Sequence, residues 1–135
     1  MSKIDPAKIW SLNYRLLMSV ITGVAPAVAE LGLETKELFV LAEVDEHPYP
    51  AELASTLCMA KPTVTVQLKR LEASGFLRRE IDASDLRRHR LMLTPAGRKA
   101  MTRGLEILSK AFGARLDRLS AAQQKELRAL LEALG

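Results

Sequence analysis

Residues 76–97 read FLRREIDASDLRRHRLMLTPAG. Leu77, Arg79 and Ile81 alternate with Phe76, Arg78 and Glu80, a period of two that predicts a strand over 76–81. DASD at 82–85 is turn chemistry, because short Asp and Ser side chains bond to nearby backbone. RHRLMLT at 88–94 predicts a second strand, with Leu91 and Leu93 on one face. Thr94-Pro95 then reads as a helix N-cap followed by proline in the first turn. The stretch is therefore a hairpin with a basic tip that feeds a helix. Arg87, Arg88, His89 and Arg90 crowd the approach to the second strand. An exposed Asp85–Arg87 pair contributes only about 0.2–1 kcal/mol, so the arginine cluster is not a stability device. An anionic partner accounts for it better, and arginine suits a narrow, electronegative minor groove.

Upstream, PTVTVQLKRLEAS from Pro62 predicts a helix that Gly75 stops. Val64, Leu68 and Leu71 form its buried stripe, which turns Pro62, Val66, Lys69, Arg70 and Ala73 outward. Thr63 and Thr65 flank its start, and Gln67 borders the stripe. Threonine hydroxyls bond phosphates or base edges, glutamine pairs with adenine, and valine touches a thymine methyl. Lysine and arginine take phosphate or guanine, and the helix N-terminus attracts phosphate. A short helix from Pro50, with Leu53 and Leu57 four apart, precedes the turn CMAK. Another runs roughly from Thr35 to Val44. Helix, tight turn, helix and hairpin make a winged helix-turn-helix.

The ends of the chain are helical. Residues 6–31 carry Ile9, Leu12, Leu16, Val20, Val24, Ala27 and Leu31 at helical spacing, with Pro26 expected to kink or break the run. Residues 95–118 and a last helix with Leu127, Leu130, Leu131 and Leu134 close the chain, and Ser120 and Gln123 form a capping box between them. The fold class is mainly α with a small antiparallel β-hairpin. One domain of 135 residues is expected, with a winged DNA-binding lobe at 35–97 and helical flanks at 6–31 and 98–134.

Charge is sorted along the chain. Residues 61–103 hold 11 basic and four acidic side chains, net +7, whereas residues 1–60 are net −4. Such a field suits nucleic acid, an anionic membrane surface or an acidic partner. Residues 16–29, LLMSVITGVAPAVA, imitate a secretory leader, but Asp5 and Trp10 interrupt its basic region. Gly23 and Pro26 make it a poor membrane span, so no membrane partner is expected. A single cysteine, Cys58, forms no internal disulfide and suits a cytoplasmic location. Its expected state is a half-buried, inert thiol, with redox sensing as the alternative. His47 and His89 are the only histidines, and no metal-ligand cluster, catalytic signature or cofactor loop is expected.

The run from Glu52 to Gly97 resembles the DNA-binding core of the MarR family of bacterial transcription regulators. The likeness rests on Glu52-Leu53-Ala54, Thr63-Val64-Thr65, Arg70-Leu71-Glu72, Gly75, Asp85-x-Arg87, Leu93-Thr94 and Gly97. The resemblance implies a homodimeric DNA-binding regulator, a repressor by expectation, on a pseudo-palindromic duplex, with the helices at 6–31 and 98–134 as its dimerisation region. It also implies that Arg87 enters the minor groove; from the residues themselves, Asp85 is expected to orient Arg87, and Arg88 and Arg90 to add backbone attraction. Lys61, Pro62, Thr63, Thr65, Val66, Gln67, Lys69 and Arg70 complete the expected DNA contact set. Val66 stands where the family often has arginine, and Lys61-Pro62 where it often has a small polar residue, so base preference does not carry over. Family members often respond to a small aromatic or phenolic acid. Trp10, Tyr14 and Arg15 lie close together on the first helix, either lining such a pocket or packing at the dimer interface. The competing function is a winged-helix module that binds protein and ignores DNA.

Overall fold

A computed structural model describes residues 3–135. Six helices and one hairpin follow in the order α1 (Pro6–Ala29), α2 (Thr35–Glu43), α3 (Pro50–Thr56), α4 (Lys61–Ala73), β1 (Leu77–Ile81), β2 (His89–Leu93), α5 (Pro95–Leu116) and α6 (Ala121–Leu134).

Local chemistry sets most of these boundaries. Asp5 caps α1 by accepting from the Ala7 amide at 3.0 Å, with Pro6 in the first turn. Glu34 and Glu37 form a reciprocal capping box on α2, which the sequence reading did not anticipate. Thr94 accepts from the Gly97 amide at 3.0 Å to start α5, and Ser120 and Gln123 cap α6 as expected. Gly75 ends α4 with φ +81°, a left-handed turn that side chains disfavour.

Three expectations for α1 are corrected: the local break at Pro26, the poor fit to a membrane span by length and composition, and the end of the helix. The helix runs unbroken through Gly23 and Pro26, and by length and composition it is long and apolar enough to cross a membrane. Burial overrides the local penalty, because Val20, Val24 and Val28 all pack inside the protein across the proline. The helix ends at Ala29 rather than at residue 31.

The core gathers Val24 and Val28 of α1, Leu38 and Leu41 of α2, Leu53 of α3, Val64, Leu68 and Leu71 of α4, and Leu77, Leu91 and Leu93 of the hairpin. Antiparallel pairing sets Leu77 opposite Leu93 and Arg79 opposite Leu91. The Leu91 amide also donates to the Pro48 carbonyl at 2.8 Å, which ties the hairpin to the residues before α3. The ends of the chain stay outside this core. Ile9, Leu12, Leu17, Leu130, Leu131 and Leu134 are all at least half exposed, and α6 buries no residue.

Candidate nucleic-acid interface

The α3–α4 corner turns at Cys58, a non-glycine residue held at φ +53°. Its thiol is exposed, not half-buried as expected, because the left-handed turn points it off the core. After the corner, Ala60 precedes α4 without a side-chain cap, and Pro62 in the first turn has no amide hydrogen to satisfy.

Lys61, Pro62, Thr63, Thr65, Val66 and Lys69 are exposed on α4, on the outward face that the sequence predicts. Thr65 donates its hydroxyl hydrogen back to the Lys61 carbonyl at 3.0 Å. Val66 is a large exposed apolar group on this face, 58% exposed. One member of the expected set is corrected, and another is already engaged by carboxylates of the chain. Gln67 is only 4% exposed, and its Oε1 has no hydrogen-bond partner among the described residues. It sits beside Leu68 on the inner face and cannot read a base from there. Arg70 stays half exposed but is already paired within the chain, donating to Glu34 at 2.8 Å with its Nε 3.8 Å from the buried Glu37 carboxylate. Both carboxylates hold its charge, so it ties α4 to the start of α2.

The wing is the loop between β1 and β2. Asp85 accepts from the Arg87 amide at 3.0 Å and lies 3.3 Å from its Nε, so one carboxylate orients backbone and side chain together. The Arg87 side chain is 91% exposed. Arg90 is exposed as well. Arg88 turns inward instead, with its guanidinium 3.5 Å from the centre of the Tyr49 ring. Tyr49, Arg79, Arg87, Arg88 and His89 surround a basic hollow of about 470 Å³ between the start of α3 and the wing. Tyr49, Arg79 and His89 were not in the expected set. The only local sign of Tyr49 was its place between Pro48 and Pro50, and Arg79 carried only its strand alternation.

Trp10 and Tyr14 lie on exposed α1 surface, 6.4 Å apart between ring centres, and Arg15 is exposed beside them. None of the three lines the apolar hollow of about 500 Å³ between α1, α2 and α5, whose walls include Leu17, Ile21, Phe39, Leu105, Leu108 and Phe112. A wider groove of about 800 Å³ follows the first half of α5 beside Leu31. Glu43, Glu46 and His47 bring ligand atoms within 4.8 Å of one another, a cluster that the sequence reading missed. His47 lies 3.9 Å from both Glu43 and Glu52, so the group is also a surface charge network.

A recognition helix with an exposed polar face, followed by a hairpin with a projecting arginine, defines a winged helix-turn-helix protein. The sequence pattern of the MarR family matches residues 33–89, from the approach to α2 into the start of β2. The HTH-type transcriptional repressor Rv2887 of Mycobacterium tuberculosis is 33% identical over 138 residues, spanning 100% of this chain and 99% of that protein. The crystal structure of that MarR family protein in complex with salicylic acid superposes with a TM-score of 0.78 at 29% identity, covering 100% of both chains. The transcriptional repressor CouR bound to a 23-mer DNA duplex gives 0.78 at 25% identity, covering 98% of this chain and 99% of that one. The chain belongs to the MarR family and is a DNA-binding transcription regulator.

Proposed function

We propose that the protein is a cytoplasmic, homodimeric repressor without catalytic activity. α4 enters the major groove, and Arg87 on the wing enters the adjacent minor groove. Residues 35–97 form the reading lobe, and residues 6–31 and 98–134 pair two copies. The observation that carries this reading is Arg87, 91% exposed and oriented by Asp85 on the far side of the hairpin from the core. The exposed apolar residues of α1 and α6 support pairing, because large apolar faces left in water favour association. Two-fold symmetry then calls for half-sites about 10 base pairs apart.

The hollow between α1, α2 and α5 suits a small aromatic or phenolic acid. Its apolar walls take a ring, and Ser109 supplies a hydroxyl at its edge. The relative Rv2887 has been crystallised with salicylic acid and with p-aminosalicylic acid. A ligand here sits between the pairing helices and the reading lobe, so it biases the spacing of the two α4 helices.

A salt titration of binding to the duplex upstream of the protein's own coding sequence tests the reading. The expected result is affinity that falls steeply with salt, preference over random duplex, and release by salicylate. Equal, weak binding to every duplex overturns it and favours a winged-helix module that binds protein.

A further inference from the structure

Tyr49 immediately precedes α3 and is far in sequence from the wing, yet it touches both ends of the wing loop. Its hydroxyl donates to the Asp82 carboxylate, where the chain leaves β1. Its ring lies under the Arg88 guanidinium, 3.5 Å from the centroid, where the chain returns to β2. Asp82 is built into the turn as well. It accepts from the Ser84 amide at 2.8 Å and the Ser84 hydroxyl at 2.6 Å, and its amide donates to the Arg88 carbonyl at 2.9 Å. The neighbouring Pro48 carbonyl holds the Leu91 amide. A single aromatic side chain therefore bridges the entry and exit of the loop that presents Arg87.

Hydrogen bonds from Ser84 and then from Tyr49 hold the Asp82 carboxyl well below the usual carboxylate range. The bond to Asp82 in turn pushes the Tyr49 hydroxyl above its ordinary value. The pair is therefore a neutral phenol on a carboxylate, a charge-assisted contact, while the ring face takes a cation. α3 joins α4 through the tight corner at Cys58, so anything fixed to the start of α3 shares a frame with the recognition helix.

We propose that Tyr49 is a positioning residue for DNA reading, clamping the wing to the start of α3 so that Arg87 is presented at a set distance and angle from α4. The inference rests on the operator-binding reading above. A wing without the clamp must be ordered on binding, and that ordering lowers affinity.

The test uses the full-length protein and a duplex that the wild type selects from a random-sequence library. Tyr49→Leu removes both contacts, and Tyr49→Phe removes only the hydroxyl bond. Hydrogen exchange in the DNA-free protein is expected to quicken over residues 82–90 in Tyr49→Leu, less so in Tyr49→Phe, with α4 unchanged. Binding to the selected duplex is expected to weaken about tenfold in Tyr49→Leu. In an Arg87→Ala background the same change is expected to cost less than about twofold, because the contact it positions is already gone. Unchanged wing exchange overturns the clamp. Equal losses in both backgrounds also overturn it, since that is the signature of a merely structural residue. A wild type that selects no duplex overturns the operator-binding reading itself. Wild-type selection with an unaffected Tyr49→Leu overturns the clamp alone.

Discussion

The first turn of α5 passes so close to the hairpin that a Cβ on Gly97 would stand 2.0 Å from the carbonyl oxygen of Phe76. That carbonyl accepts from the Thr94 amide at 3.1 Å, and the Thr94 hydroxyl donates to the Gly75 carbonyl at 2.5 Å. The Thr94 cap and the bare Gly97 backbone thus lock α5 onto the strand that carries the wing. Gly97→Ala must push two backbone segments apart, and the expected loss is about 3 kcal/mol. Urea denaturation measures it.

Gln67 yields the opposite sign. Its Oε1 is buried without a partner among the described residues, so an apolar side chain of similar length relieves a desolvation cost. Gln67→Met is expected to stabilise the protein by about 1 kcal/mol and to leave DNA affinity unchanged. A loss of affinity without a loss of stability would restore Gln67 to the reading surface.

Arg70 and Arg87 separate structure from recognition. Arg70→Ala removes the cation between Glu34 and the buried Glu37, so the melting temperature is expected to fall while the salt dependence of DNA binding stays the same. Arg87→Ala is expected to leave the melting temperature unchanged, weaken binding, and reduce the slope of log affinity against log salt by about 1. Paired thermal melts and salt titrations on the two variants check both halves.

Asp82 bears on pH. Its native pKa is depressed, so its contribution to stability is fully present above its unfolded value, about 4, and is lost only as pH falls through the lower native value. The Asp82 contacts are therefore expected to hold unchanged between pH 5 and 8. Carbon-13 NMR of the Asp82 carboxyl should show it ionised well below the usual carboxylate midpoint. Tyr49→Phe should move that midpoint up, because one of the two side-chain donors is lost.

Much of the architecture was legible because its signals are local. The Thr94 and Ser120 caps, the Gly75 stop, the alternation over 77–81 and the stripe of Val64, Leu68 and Leu71 each lie within a few residues, and each places an element correctly. The exposed face of α4 and the Asp85–Arg87 pair were readable for the same reason. The errors lie where distant segments meet. Pro26 does not break α1, because burial of Val24 and Val28 outweighs one lost backbone bond.

The sequence by itself determined a winged helix-turn-helix with a basic wing, because cap, turn and periodicity are properties of neighbours along the chain. Only the tertiary structure decided which polar groups remain for DNA. Arg70 meets a carboxylate 36 residues away, Tyr49 meets one 33 residues away, and Gln67 falls on the inner side of a helix flank that spacing alone left undecided. A side chain's charge is written in the sequence, but whether that charge is already satisfied depends on what the fold brings beside it.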